Sequence, residues 1–258
     1  MRIAISGKGG VGKTTVTAVW GRAFAAEGRP VFLIDADPDA NLGAALGVPV
    51  DQWPTPLVAL KDLIKERTGA DPDKVGQYFR LNPRVDDLPE AYAVAVQGLR
   101  LLVLGGIRGG GTGCACPQGT FLKAMMRHLM LERQEVLLVD MEAGLEFLGR
   151  ASVMGTDALV AVVEPGRRSL DTAHAIFAMG REIGVRRFAA VLNKVTDPSQ
   201  VEAVRAGLPA EMPLLGHVPY SPALQQADLE GRTVIGVDPA VEAALAEAKR
   251  KLEAMVAT

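Results

Sequence analysis

One stretch decides the fold of this chain: Gly7-Lys8-Gly9-Gly10-Val11-Gly12-Lys13-Thr14-Thr15. It matches the pattern G-x-x-x-x-G-K-[ST] and lies between a short apolar run, Ile3-Ala4-Ile5, and a helical pattern from Val16 to Ala26. Glycines at these places let successive backbone N–H groups turn inward around phosphate oxygens, and the N-terminus of the following helix adds partial positive charge. We therefore predict a strand–loop–helix unit whose loop binds the phosphates of a nucleotide.

Three side chains of this phosphate loop carry its predicted chemistry. Lys13 can reach the β- and γ-phosphates, and the Thr14 hydroxyl can hold Mg²⁺. Lys8 is a second lysine, directly after the first glycine, which the general pattern does not require. With it, the sequence GKGGVGKTT resembles the deviant Walker A motif of the MinD/ParA/nitrogenase-iron-protein class of ATPases. The resemblance implies that Lys8 contacts the partner's phosphates in a homodimer that holds two ATP molecules, and that hydrolysis resets this dimer.

The composition places bounds on the function. The chain has 258 residues, enough for one large α/β domain, and its net charge of −2 with a pI near 6.0 argues against a nucleic-acid partner. Met1 and Arg2 run directly into the first apolar segment, so we expect no signal peptide, and no apolar run approaches the roughly 18 residues of a membrane span. Only two cysteines occur. We therefore expect a cytoplasmic protein with reduced thiols and no membrane partner.

Two acidic segments follow predicted buried strands. The run Val31–Ile34 leads into Asp35 and Asp37, and a later apolar run ends in Asp140. The carboxyl ends of parallel strands meet at one edge of a doubly wound sheet, so these carboxylates are expected beside the phosphate loop. The first segment resembles switch I of the same class, which implies that Asp37 orients the attacking water and that Asp35 lies in or beside the Mg²⁺ shell. Asp140 matches the Walker B aspartate, which binds Mg²⁺ through its water shell, and the N–H of Gly144 is placed to sense the γ-phosphate. Without the phosphate loop, the first segment would also fit an acidic turn.

Two later segments resemble the adenine-contacting parts of this class. Asn193 follows the predicted strand 188–192, and in the class an asparagine at this place hydrogen-bonds adenine. Pro219 and Tyr220 follow the last short strand and resemble the loop that flanks adenine, although Ser221 stands where the class often carries Asp. An asparagine that only caps a turn is the alternative for Asn193.

The alternation of apolar strands and helical patterns predicts one α/β domain over residues 1–258. We expect a parallel, doubly wound sheet with helices on both faces, which the resemblance makes a P-loop NTPase of the SIMIBI/MinD-like type. Residues 52–87 are rich in prolines and charges and fit an insertion at the sheet edge, with helices predicted at 57–67 and 71–79. A last helix over 238–255 is expected to dock on the core through its apolar face, with Lys249 among the charged residues of the other face.

Cys114 and Cys116 form a C-x-C pair at the end of a glycine-rich segment that begins at Gly105. On an extended backbone both thiolates point to one side, but two thiolates do not complete a tetrahedral metal site. If the protein dimerises face to face, its twofold axis supplies a second pair and gives a four-cysteine site between protomers. Such a site suits Zn²⁺, Cu(I) or Ni²⁺, and an iron–sulfur cluster uses the same number of cysteines. A reactive thiol pair or two buried small side chains are the alternatives.

Two runs of sequence point to one group within this class of ATPases. They are Gly113-Cys114-Ala115-Cys116-Pro117 and the run 140–150, which reads DMEAGLEFLGR. Together they resemble the CooC group, the ATPases that mature the nickel centre of carbon monoxide dehydrogenase. The resemblance implies an ATP-dependent metallochaperone that binds Zn²⁺ or Ni²⁺ at the dimer interface and assists nickel insertion into this client enzyme. The group usually has histidine where this chain has Phe147, which leaves the client and the metal open.

Two other functions are compatible with the class. A MinD/ParA-like positioning or scaffolding ATPase would need a basic DNA-binding surface or a membrane helix, and the net charge and the last helix argue against both. An iron–sulfur carrier or electron-transfer ATPase would use the same two cysteines. The sequence therefore favours an ATPase with a metal cargo.

Overall fold

The apolar runs of the sequence form the strands of one eight-stranded sheet. The computed structural model describes residues 1–74, 76–106, 116–132, 135–142 and 155–257. The strands in these residues are β1 (Arg2–Ser6), β2 (Val31–Ala36), β3 (Val94–Val96), β4 (Leu99–Val103), β5 (Val136–Met141), β6 (Ala158–Val163), β7 (Phe188–Val195) and β8 (Leu214–Pro219). The α-helices are α1 (Lys13–Ala26), α2 (Leu42–Ala45), α3 (Lys61–Thr68), α4 (Leu88–Tyr92), α5 (Pro117–Glu132), α6 (Arg167–Glu182), α7 (Ser199–Gly207), α8 (Pro222–Leu229) and α9 (Pro239–Ala257).

The strands lie in the order β3-β4-β2-β5-β1-β6-β7-β8. Because β1 pairs with β5 on one side and β6 on the other, the phosphate loop leaves the middle of the sheet. Every pair of described strands is parallel except β3 with β4, which form a hairpin. Its turn residues Gln97 and Gly98 both have positive φ, 47° and 82°, the conformation that tight hairpins favour. The sequence analysis missed β3 because glutamine is an uncommon residue at such a turn.

Each face of the sheet carries its own hydrophobic core. Ile3 and Ile5 of β1 belong to the core that includes side chains of α1, α2 and α9. Ala4, between them, belongs to the core on the opposite face, which includes side chains of α3, α5, α6 and α7. This alternation confirms the predicted parallel sheet covered by helices on both faces.

The segment between α2 and α4 differs from its predicted helices. The first is divided into a 3₁₀ turn, Leu57–Ala59, and α3, which ends at Gly69 with the left-handed φ of 81° that glycine favours. The second predicted helix, at 71–79, does not form in the part of that range that the structure describes. Instead, the Gln77 side chain accepts a hydrogen bond from the Asp71 N–H and donates one to the Asp71 carbonyl. Such local side-chain bonds compete with helix formation.

The last helix docks on the core as predicted, but with a buried cation where it meets α1. Lys249 is 2% exposed, and its ammonium lies 4.1 Å from the centroid of the Phe24 ring. It donates to carboxylates of Glu27 and Glu253 at 2.6 and 2.9 Å. The prediction that placed Lys249 on the outer face is therefore wrong, because the ring and two carboxylates replace its hydration. No described helix, α9 included, is long and apolar enough to cross a membrane.

Replacing Lys249 by methionine should cost less stability than removing both of its carboxylate partners. Methionine can still cover Phe24, and the partly exposed Glu27 and Glu253 can turn to water, so we expect Lys249→Met to lower the free energy of unfolding by less than about 1 kcal/mol. The double variant Glu27→Gln/Glu253→Gln leaves a buried ammonium without a carboxylate and should cost about 2–4 kcal/mol. Urea unfolding measures both losses, and equal losses would contradict this account of the contact.

Candidate nucleotide and magnesium site

The carboxyl ends of six parallel strands bring the predicted residues, together with Glu164, to one edge of the sheet. In sheet order these ends carry Asp35 (β2), Asp140 (β5), the phosphate loop (β1), Glu164 (β6), Asn193 (β7) and Pro219 (β8). The register places Asp35 of β2 directly opposite Asp140 of β5. The chain passes from β1 to β2 on one side of the sheet and later from β5 to β6 on the other side of β1. Doubly wound sheets bind their ligands at the edge beside such a reversal of strand order.

The phosphate loop has a conformation that requires glycine at position 12. Gly12 has a φ of +100°, and a Cβ there would lie 2.2 Å from Nδ2 of Asn193. The Asn193 amide donates to the Val11 carbonyl at 2.8 Å and so fixes the loop against β7. Because α1 begins at Lys13, the unpaired N–H groups of its first turn lie at the loop, as in anion-binding helix termini. The strand–loop–helix unit that the sequence predicts is present.

Lys13 is buried beside the switch I segment. It is 5% exposed, and its Nζ lies 3.6 Å from Oδ2 of Asp37. Asp35 is fully buried and accepts hydrogen bonds from the N–H groups of Asp37 (3.2 Å) and Leu42 (2.9 Å). Asp35 therefore shapes the turn that carries Asp37 and leads into α2. In this arrangement an incoming phosphate can replace Asp37 as the partner of Lys13, which leaves the Asp37 carboxylate available to a water molecule.

Asp140 and Thr14 form the part of the site that suits Mg²⁺. The Thr14 hydroxyl donates to Oδ2 of Asp140 at 2.6 Å. The other oxygen, Oδ1, is buried without a hydrogen-bond partner among the described residues. A buried carboxylate oxygen without a partner costs free energy, and a hydrated cation would recover it. These oxygen ligands fit a Mg²⁺ ion held by Thr14 and, through its water shell, by Asp140.

Burial raises the pKa of both aspartates at this edge of the sheet. Burial, followed by the charge of Asp35, raises the pKa of Asp140 from 3.8 to about 8, against the opposing effects of Thr14 and Lys13. Burial also raises the pKa of Asp35 from 3.8 to about 6, although hydrogen bonds from two backbone N–H groups lower it. At neutral pH this pair of carboxyl groups therefore retains a proton, which a divalent cation would displace.

The sequence analysis missed an acidic residue that contacts Lys8. Glu164 directly follows β6, with Oε1 3.6 Å from Nζ of Lys8 and Oε2 3.8 Å from Nζ of Lys194. Lys194 has a positive φ of 59° and also donates to the Gly10 carbonyl. A charged residue directly after a buried strand was the available signal, the same signal that marked the aspartates of β2 and β5.

The residues predicted to surround adenine lie on neighbouring strand ends. Val195 of β7 pairs with Pro219 of β8, and the Tyr220 N–H donates to the Val195 carbonyl at 2.9 Å. Tyr220 is 42% exposed. The Asn193 amide is engaged at both ends, since Nδ2 donates to the loop and Oδ1 accepts from the Lys194 N–H. This geometry suits a turn cap as well as an adenine contact, and the adenine contacts stay predictions.

The described residues include only part of the predicted cysteine and switch II sites. Cys114, Gly144 and Phe147 lie outside them. Cys116 directly precedes α5, is half-buried, and has a free thiol whose sulfur accepts a hydrogen bond from the Gly119 N–H at 3.3 Å. In the part of the chain that the structure describes, no group of three or more His, Cys, Asp or Glu side chains could hold a metal ion. The four-cysteine site between subunits stays a prediction.

Asparagine in place of Asp140 should stabilise the nucleotide-free and Mg²⁺-free protein at high pH. Below about pH 3 the Asp140 carboxyl is protonated in both the folded and the unfolded chain, so its burial adds no pH-dependent cost. As pH rises toward 8, the unfolded chain ionises first, and the wild type loses up to about 1.4 kcal/mol per pH unit. Asp140→Asn should lack this contribution, so its advantage should grow between pH 5.5 and 8.5.

Urea unfolding in EDTA across this pH range measures the difference, and Asp197→Asn provides the control. Asp197 is a surface carboxylate whose pKa is lowered by hydrogen bonds from Ser199, so its removal should not flatten the decline with pH. Parallel stability curves for the wild type and Asp140→Asn would show that this carboxyl does not retain its proton in the fold.

Comparison with known proteins agrees with this geometry. The family model described as the CobQ/CobB/MinD/ParA nucleotide binding domain matches residues 3–234. The carbon monoxide dehydrogenase accessory protein CooC of Rhodospirillum rubrum is 42% identical over 244 residues, which cover 93% of this chain and 91% of the relative. An uncharacterized ATP-binding protein of Methanocaldococcus jannaschii is 38% identical over 236 residues, which cover 91% of each chain.

Solved structures share the fold at lower identity. The MinD cell division protein of Aquifex aeolicus superposes with a TM-score of 0.68 at 21% identity, covering 98% of this chain and 97% of the other. MinD of Pyrococcus horikoshii, solved as a complex with Mg-ADP, gives a TM-score of 0.65 at 22% identity, covering 98% and 95%. With the family match and the identity to CooC, these observations show that the chain belongs to the CobQ/CobB/MinD/ParA nucleotide-binding family and is a CooC-type ATPase.

Proposed function

We propose that this protein is a cytoplasmic, ATP-dependent metallochaperone that assists nickel insertion into carbon monoxide dehydrogenase. In the proposal it acts as a homodimer that carries one metal ion between the C-x-C pairs of two subunits. The observation that carries the proposal is the 42% identity to CooC over 93% of the chain. The presence of Lys8, Cys114 and Cys116, on which the resemblance to this group rests, supports it. The metal is the cargo, Ni²⁺ in the cell, and Zn²⁺ is a second ion that four thiolates would accept.

Residues of the phosphate loop bind and neutralise the nucleotide in this proposal. The backbone of Gly7–Thr15 surrounds the phosphates, Lys13 contacts the β- and γ-phosphates, and Lys8 reaches the partner's nucleotide. Mg²⁺, when bound by Thr14 and through water by Asp140, supplies charge neutralisation at the β- and γ-oxygens.

Residues outside the phosphate loop position the attacking water and the adenine ring. Asp37 accepts a hydrogen bond from the attacking water, and the Asp35 carboxylate holds the turn that carries Asp37. The N–H of Gly144 senses the γ-phosphate. The adenine lies between Asn193 and the strand end formed by Pro219-Tyr220.

A direct contact joins switch I to the chain that leads to the cysteines. Gly106 follows β4, ten residues before Cys116 in the sequence. A Cβ at position 106 would lie 2.4 Å from Cβ and 2.6 Å from Cγ of Pro38, the residue after Asp37. The backbone at Gly106 therefore packs directly against switch I, and a displacement of Pro38 would have to move it. This contact supports a coupling in which ATP and metal each favour the closed dimer and raise the other's affinity.

Loss of one cysteine should abolish metal binding and preserve nucleotide binding. In the wild type with Mg²⁺ and ATP, we expect one metal ion per two subunits, because four thiolates from two chains complete one tetrahedral site. Cys114→Ala leaves two thiolates in the dimer and should lose the ion, whereas its affinity for Mg²⁺-ADP should change by less than about twofold.

Elemental analysis together with the mass in solution measures the ratio of metal to subunit. His174→Ala is the matched control, because His174 is an exposed potential ligand on α6 and its loss should leave the metal content unchanged. Unchanged metal content in Cys114→Ala would contradict the cysteine site, and a monomeric wild type with ATP would contradict the dimer.

Alanine at position 106 should weaken the coupling between ATP and metal. Its Cβ would overlap Pro38, so switch I and the backbone after β4 could no longer pack as they do. We expect the factor by which ATP raises metal affinity to fall at least about fivefold, with metal affinity in ADP much less affected. Pro38→Gly in the same chain removes the two closest atoms and should restore part of the factor. Metal titrations with ADP and with a slowly hydrolysed ATP analogue measure this factor. An unchanged factor in Gly106→Ala would show that the contact between Gly106 and Pro38 does not couple the two sites.

A further inference from the structure

Glu164 lies between two lysines at the rim of the phosphate loop and has no part in the chemistry proposed above. One carboxylate oxygen faces Lys8 at 3.6 Å and the other faces Lys194 at 3.8 Å. The Glu164 N–H donates to the Ser169 hydroxyl oxygen at 3.0 Å, so its backbone is fixed against the first turn of α6. The side chains of Lys8 and Lys194 are 42% and 41% exposed and that of Glu164 is 29% exposed, so both ion pairs are open to competition from other charges.

The second lysine of this network is held in place. Lys194 is a non-glycine residue in the left-handed region, with a φ of 59°, a conformation that persists only where surrounding contacts require it. Its ammonium also donates to the Gly10 carbonyl of the phosphate loop. Both partners of Lys194 therefore belong to its own subunit, whereas Lys8 is the partner of Glu164 that the proposed dimer must release.

We propose that Glu164 is a positioning residue that holds Lys8 within its own subunit and so opposes dimerisation until ATP is bound. This inference rests on the proposed homodimer. Lys8 leaves Glu164 only when a more strongly charged acceptor is offered, and the phosphates of ATP across the interface are such an acceptor. When Lys8 leaves, Lys194 remains to pair with the carboxylate, so no isolated charge is left behind.

The expected size of the effect follows from the exposure of the pair. Ion pairs between partly exposed side chains typically change an equilibrium constant by a factor of about 1.5 to 5. Twofold symmetry means that two such pairs break for each dimer formed. Removing the charge of Glu164 should therefore tighten the ATP-bound dimer by a factor of about 2 to 25.

A second route by which Glu164 could act has a different signature. Its negative charge could repel the phosphates bound in its own subunit, without any involvement of Lys8. In that case Glu164→Gln would tighten nucleotide binding even in a chain that lacks Lys8. If Glu164 acts by holding Lys8, Glu164→Gln has less than a twofold effect on Mg²⁺-ADP binding in the Lys8→Ala background.

Sedimentation equilibrium of the full-length chain with Mg²⁺ and ATPγS tests the proposal by measuring the dimer dissociation constant. Glu164→Gln should lower this constant 2- to 25-fold, and Glu164→Asp, which withdraws the carboxylate by one methylene, should lie between Glu164→Gln and the wild type. The control is Glu182→Gln, which removes an exposed carboxylate at the end of α6 and should match the wild type. Isothermal titration calorimetry then measures the affinity for Mg²⁺-ADP of the Lys8→Ala chain with and without Glu164→Gln.

The outcomes separate this inference from the function on which it rests. If the wild type dimerises with ATPγS and Glu164→Gln dimerises equally well or less well, the holding role is overturned and the metallochaperone proposal stands. Tighter Mg²⁺-ADP binding by Glu164→Gln without Lys8 would replace the holding role by direct repulsion. If the wild type and both Glu164 variants all stay monomeric with ATPγS, the homodimer and this inference fall together.

Discussion

Two buried carboxyl groups at the middle of the sheet impose the constraint on which this site depends. The parallel register of β2 and β5 places Asp35 opposite Asp140, and both side chains are almost wholly inaccessible to water. Like charges so placed cannot both ionise without cations close by. Lys13, the N-terminus of α1 and a hydrated divalent ion are the cations and dipoles that this edge can assemble. Without a bound cation, this edge of the sheet therefore disfavours the ionised forms of the two carboxyl groups on which nucleotide binding depends.

The sequence was sufficient for the parts of this arrangement that local patterns determine. Glycine spacing predicted the phosphate loop, and continuous apolar runs predicted every strand except β3, with aspartates at the ends of β2 and β5. What it missed depends on tertiary contacts. The β3–β4 hairpin turns at Gln97, and the burial of Lys249 needs Phe24 and two carboxylates from separate helices. Glu164 likewise became recognisable only when β6 was placed beside the phosphate loop.

The cations of the loop are held by contacts that can be exchanged. Lys13 lies 3.6 Å from Asp37, and Lys8 lies 3.6 Å from Glu164. These separations exceed the roughly 2.7–2.9 Å of a strong charge-assisted hydrogen bond. By contrast, the Thr14 hydroxyl lies 2.6 Å from Asp140, and Asn193 is bonded to the loop at 2.8 Å. The loop backbone and the proposed Mg²⁺ ligands are thus fixed, whereas the two lysines are paired loosely enough for phosphate to compete.

Such exchangeable pairs give nucleotide binding two separate routes to the rest of the molecule. When phosphate takes Lys13 from Asp37, the change falls on the turn that carries Pro38, and Pro38 packs without a gap against Gly106. When phosphate across an interface takes Lys8 from Glu164, the change concerns the association of two subunits. The first route acts by steric contact within one chain, so salt should affect it little. The second depends on partly exposed charges, so it should weaken as ionic strength rises. The proposed function requires both routes, because a four-thiolate site would need two subunits to form and a nucleotide-dependent movement to open.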